Sequence, residues 1–170
     1  DDADTFEIEG KLELIQPNIE GIIWVVGEPK DIIWKPQGTF SYVKLDYSTN
    51  AFINENQVVV EAASYPNSAH NVNGVYAWTV PDAIGNNLKV RVTATNDPDV
   101  KAISAYPFEI KGALTLTQPN GGETWYVGET TRKIMWLASG TIPTVKLEYS
   151  KNNGGIWNEI IASTAAGKGA

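Results

Sequence analysis

The chain repeats itself, and no other feature constrains its fold as tightly. Phe6-Glu7-Ile8-Glu9-Gly10 returns as Phe108-Glu109-Ile110-Lys111-Gly112, an offset of 102 residues. Gln16-Pro17-Asn18 returns as Gln118-Pro119-Asn120 at the same offset. Trp24-Val25-Val26-Gly27-Glu28 returns as Trp125-Tyr126-Val127-Gly128-Glu129, one residue closer. Ile33-Trp34 recurs as Met135-Trp136, and Val43-Lys44-Leu45-Asp46-Tyr47-Ser48 as Val145-Lys146-Leu147-Glu148-Tyr149-Ser150. Five blocks in one order at nearly one spacing define a repeating unit. In its frame, residues 11–112 are one whole copy. Residues 1–10 match only the closing strand of a preceding copy, and 113–170 match the opening part of a following one. That last stretch has no counterpart of Tyr76-Ala77-Trp78-Thr79-Val80-Pro81. The expected division is a closing or donor strand (1–10), a complete β-sandwich (11–112) and an incomplete one lacking its last strands (113–170).

Local pattern points to strands throughout. Val43–Tyr47 and Leu88–Ala94 alternate apolar with polar residues, the period-2 signature of a half-buried strand. Thr5–Glu9, Lys11–Ile15, Ile32–Trp34, Gln57–Ala62 and Val75–Val80 are short β-rich runs. Turn residues separate them: Pro17-Asn18, Gly27-Glu28-Pro29, Pro36-Gln37-Gly38, Asn73-Gly74, Gly85-Asn86-Asn87 and Asn96-Asp97-Pro98-Asp99. Ala83–Asn87 is the one stretch that could close a short helical turn. About seven short strands in about 100 residues predict an all-β fold, an immunoglobulin-like or fibronectin III-like β-sandwich in tandem.

The order of these blocks is familiar. Gln118-Pro119-Asn120-Gly121-Gly122-Glu123-Thr124-Trp125, Val127-Gly128, Ile134-Met135-Trp136, Val145–Ser150 and Asn153-Gly154-Gly155-Ile156-Trp157 resemble the immunoglobulin-like domain of the Ser-Thr-rich GPI-anchored membrane family. That family is related to fungal proteins of cell-wall β-1,6-glucan assembly. The first copy adds the family's ending in Gly74–Pro81, Val90-Arg91-Val92, Asp97-Pro98 and Phe108-Glu109-Ile110. The resemblance implies repeated modules of secreted or cell-surface proteins and brings no catalytic residues with it. The first copy departs from the pattern at Ile19-Glu20-Gly21-Ile22-Ile23, where the Asn-Gly-Gly-Glu turn is replaced. Its Ser48–Asn56 stretch also lacks the Gly-Gly-x-Trp hairpin.

Composition narrows the chemistry. Net charge is −7, with no Lys/Arg cluster, which argues against nucleic acid and anionic membrane surfaces as partners. The charge is uneven: residues 1–112 hold 16 acids and 8 bases, residues 113–170 only 4 acids and 5 bases. There is no cysteine, so disulfides, thiolate metal sites and cysteine nucleophiles are excluded. The one histidine, His70, lies in a polar loop and reads as a plain surface residue. No apolar run approaches the roughly 20 residues of a membrane helix. The chain opens on Asp1, Asp2 and Asp4, without a basic-then-apolar leader. Paired catalytic carboxylates cannot be singled out, and Asp46 and Glu148 read as solvent-facing charges on a strand.

Six tryptophans raise the question of carbohydrate. Trp34, Trp136 and Trp78 read as core, while Trp24, Trp125 and Trp157 are the ones that could be exposed. Trp125, Tyr126 and Trp157 are therefore the candidate contacts for a cell-wall or extracellular polysaccharide. Asn96-Asp97-Pro98-Asp99 and Asp1-Asp2-x-Asp4 could offer oxygen ligands to Ca²⁺, without the spacing of a calcium loop. Ser150–Trp157 approximates the S-x-D-x-G-x-x-W hairpin of sialidase-type propellers, and its single occurrence reads as a tight turn. The incomplete stretch suggests a donor strand: Thr5, Phe6, Glu7, Ile8, Glu9 and Gly10 of one copy could add to residues 113–170 of another. The expected role is a non-enzymatic structural module of an extracellular stalk or filament, its partners neighbouring copies of itself. The short Lys111-Gly112-Ala113 junction implies semi-rigid coupling between units. A carbohydrate-binding module is the alternative.

Overall fold

The computed structural model describes residues 9–54 and 62–167. They are all β, with no helix. Among the described residues nine strands fall in the first copy: β1 (Lys11–Gln16), β2 (Ile23–Val25), β3 (Pro29–Gln37), β4 (Tyr42–Ser48), β5 (Ala62–Pro66), β6 (Gly74–Thr79), β7 (Gly85–Ala94), β8 (Lys101–Ile103) and β9 (Phe108–Lys111). One sheet runs β1-β3-β6, and a second runs β2-β9-β7-β4-β5, with β8 on β7. All these pairs are antiparallel except β2–β9, which is parallel.

Alternation explains the core between the two sheets. Leu12 and Leu14 of β1 point inward while Lys11 and Glu13 face water. Leu88, Val90, Val92 and Ala94 do the same along β7. Trp34 of β3 is fully buried, its indole Nε1 donating to Asn67 Oδ1 at 2.9 Å. Gly74 pairs with Trp34 across β3 and β6, and a Cβ there would lie 2.2 Å from the indole, so only glycine fits. At one end of the core Trp24 packs on Phe108 at 4.9 Å and edge-on to Trp78 at 5.7 Å. Trp24, which the sequence left open to exposure, is thus buried.

Several expectations need correction. No helical turn forms at Ala83–Asn87; β7 begins at Gly85, and the Gly85-Asn86-Asn87 turn signal lies inside it, irregularly paired with β9. Pro36 belongs to β3 rather than to a turn, because past Trp34 that strand is flanked by β1 alone, where a missing donor is tolerated. His70 is exposed but not idle: its Nδ1 accepts from Gly38 N at 2.9 Å. The run Gln57–Ala62 lies outside the described residues except for Ala62, the first residue of β5.

Four strands follow: β10 (Ala113–Gln118), β11 (Met135–Ser139), β12 (Thr144–Ser150) and β13 (Trp157–Ala165). They form two separate pairs, β10-β11 and β12-β13. β10 and β11 repeat the register of β1 and β3. Leu114↔Ala138 and Leu116↔Trp136 stand where Leu12↔Pro36 and Leu14↔Trp34 stand, and the irregularity before Gln118 matches that before Gln16. The Gln16–Pro17 and Gln118–Pro119 peptide bonds are both cis. Trp136 Nε1 donates to Ala166 O at 2.9 Å, as Trp34 donates to Asn67.

Candidate functional site

The β4 and β12 ends make one turn from different sequences. Ser48 Oγ accepts from Asn50 N and Phe52 N at 3.2 and 2.9 Å; Ser150 Oγ accepts from Asn152 N and Gly154 N at 3.3 and 2.9 Å. Both turns pass through the left-handed region, at Ala51 and Phe52 in one and Asn153 and Gly154 in the other. A phenylalanine thus occupies, at φ 61°, the position where glycine is free of strain. Its ring carries the Arg91 guanidinium at 4.6 Å, a contact that helps to hold it there.

The two regions differ in what covers their inward faces. Leu12 and Leu14 are 4% and 3% exposed, whereas Leu114 and Leu116 are 50% and 46% exposed. Trp24 is 5% exposed and Trp125 37%. In the first copy β6, β7 and β9 close the core over these positions. Residues 113–167 contain no strand in those places, so the face stays open. It forms an apolar groove of about 600 Å³ lined by Leu114, Leu116, Trp125, Ile134, Trp136 and Leu147, with Val145 and Ile160 beside them. Trp136, expected in a core, is only half-buried here. The lining of the groove is the counterpart of a core.

Backbone donors lie open beside it. In the first copy β2 is an edge made useful by β9, with Ile23↔Glu109, Trp24↔Ile110 and Val25↔Lys111 in parallel pairing. Thr124-Trp125-Tyr126, the matching stretch, has no ladder partner among the described residues. The loop that carries it is held by carboxylates. Glu123 accepts from Asn120 N at 2.9 Å, which holds its carboxyl below the ordinary glutamate range. Glu129 accepts from Arg132 Nε at 2.8 Å and Tyr126 N at 3.1 Å, and is lowered first by the guanidinium and then by the amide. On the rim, Lys146 meets Glu148 at 2.7 Å and Glu159 at 3.5 Å, and its ammonium is raised chiefly by the Glu148 hydrogen bond.

The candidate carbohydrate contacts Trp125, Tyr126 and Trp157 are all exposed. Trp125 lines the groove; Tyr126 and Trp157 do not, though both are more than half exposed. Trp157 opens β13 opposite Ser150, at the hairpin. Of the donor-strand residues, Thr5 to Ile8 lie outside the described residues, as do Asp1, Asp2 and Asp4. Glu9 is exposed, and Gly10 lies against the Phe40 ring, where a Cβ would stand 2.1 Å from Cζ. Asp97 Oδ1 caps Asp99 N at 3.3 Å, and among the described residues no three acidic or histidine side chains gather at metal-binding distance.

The sequence missed one feature outright. Asp46, expected to face solvent, is 1% exposed between Arg91 Nη2 at 3.0 Å and Lys44 Nζ at 3.1 Å. The signal was Arg91, which sits opposite Asp46 in the β4–β7 register and whose long stem can cover a carboxylate. No family model, no curated protein and no solved structure matches this chain.

Proposed function

We propose that this chain is a non-enzymatic structural module, a stretch of tandem immunoglobulin-like sandwiches from a secreted or cell-surface stalk or filament. The observation that carries the reading is the open groove, whose lining residues are buried core at the matching positions of the first copy. Strand order supports it: β1-β3-β6 on one side and β5-β4-β7-β9 on the other follow the A-B-E and C′-C-F-G order of an immunoglobulin-type sandwich, with β2 as the switched first strand. The resemblance to the Ser-Thr-rich GPI-anchored membrane family points the same way. An apolar groove beside an unpaired strand edge is suited to β-augmentation. Thr5–Gly10 carries the sequence of β9, so a donated strand would set Phe6 against Trp125 as Phe108 sits against Trp24.

The test uses the chain without residues 1–10, which keeps every described strand. A synthetic Thr5–Gly10 peptide should shift its tryptophan emission to the blue and saturate at one peptide per chain. A peptide with Phe6→Ala should bind at least about tenfold more weakly, the cost of losing a buried aromatic. No response to the peptide would overturn strand donation. A response to β-glucan instead would favour the carbohydrate alternative.

A further inference from the structure

Where the two copies meet, the corner Gly140-Thr141-Ile142 docks on the end of the first sandwich. Asp82 accepts from both Thr141 N, at 3.0 Å, and Thr141 Oγ1. Gly140, at φ 82°, lies so close to Val26 and Ile84 that a Cβ would meet them at 2.9 and 3.2 Å. Ile142 tucks under Gly112, the single residue between β9 and β10. The junction is therefore a carboxylate received by a threonine, seated in branched aliphatics, with glycines where the backbones touch.

The same corner exists once more in the chain. Gly38-Thr39-Phe40 occupies the matching positions, Gly38 with φ 114° and Phe40 packed against Gly10 as Ile142 is against Gly112. Thr39 is exposed, and its N–H and hydroxyl have no partner among the described residues. At the other end Val127, the counterpart of Val26, stands fully exposed. We infer that Gly38-Thr39-Phe40 is a docking surface for another repeat unit, which presents to Thr39 an aspartate flanked by branched aliphatics. The chain already makes this junction once: one corner is occupied by Asp82, and its twin has the same backbone, glycines and hydroxyl. This inference rests on the tandem reading and adds to it the residues that set the angle between units. An exposed carboxylate–threonine contact alone is weak; the close approach of Gly140 to Val26 and Ile84 beside it fixes its geometry.

The test is a chain in which residues 1–112 are followed directly by residues 11–170, so that the added copy's Asp82 precedes the original Thr39 as Asp82 precedes Thr141. Amide hydrogen exchange at that Thr39 should slow by at least about tenfold relative to the 170-residue chain, the protection a charge-assisted hydrogen bond gives. Asp82→Ala in the added copy should abolish the slowing. Unchanged exchange at Thr39, with the added copy's β4 and β7 amides protected, overturns the junction alone. Unprotected β4 and β7 amides in the added copy overturn the tandem reading and the junction with it.

Discussion

At the residue scale, Asp46 and Glu148 show how one repeated position can take two roles. Both follow a lysine by two residues on equivalent strands. Asp46 is enclosed because β7 lies beside β4 and lends it Arg91, whose guanidinium is in turn fixed over Phe52. Glu148 has no such neighbour; it pairs with Lys146 in the open and stands opposite Glu159. Removing one partner of a buried pair leaves the other charge uncompensated, while an exposed pair is screened by water. Asp46→Ala should therefore lower the unfolding free energy by about 3 kcal/mol, and Glu148→Ala by less than about 1 kcal/mol, in urea titrations. Equal losses at the two sites would mean that Arg91 does not depend on Asp46. The burial of Asp46 was not legible from strand alternation, which places it outward; it follows from the cross-strand register.

At the element scale, β1 and β10 form one element in two settings, with equal register and unequal cover. Leu14 has a whole core around it, so its truncation removes transfer energy and opens a cavity. Leu116 is already half in water. Leu14→Ala should cost about 3 kcal/mol and Leu116→Ala less than about 1 kcal/mol, read from the same denaturation curves. A large cost at Leu116 would place a cover over β10. Strands with clear alternation, β1, β4 and β7, were legible in the sequence to within a few residues. The three-residue β2 and β8 were not, because so short a run carries no period and is defined only by the strand it pairs with. For the same reason Gly85-Asn86-Asn87 looked like a turn: tertiary pairing with β9 keeps a turn-prone sequence extended. The groove was legible in outline from the repeat frame, but Trp136 shows the limit: its identity marks a core position, and only neighbouring strands make that position a core.

At the scale of the whole molecule, the chain combines one closed apolar core with one open one. The closed core draws on both sheets of residues 11–112, and the open face is edged by Thr124-Trp125-Tyr126, which has no ladder partner among the described residues. Exposed apolar area of this kind next to an unpaired edge drives association, and a heterologous contact that does not close on itself extends into a fibre. The acidic character of residues 1–112 against the nearly balanced 113–170 leaves no strong like-charge barrier to a head-to-tail approach. On this reading the open face is a place for another β segment. Light scattering of the purified chain across a concentration series tests it most directly. The weight-average mass should climb with concentration and fall back when residues 1–10 are removed. A mass that stays at that of a single chain throughout the series would contradict it.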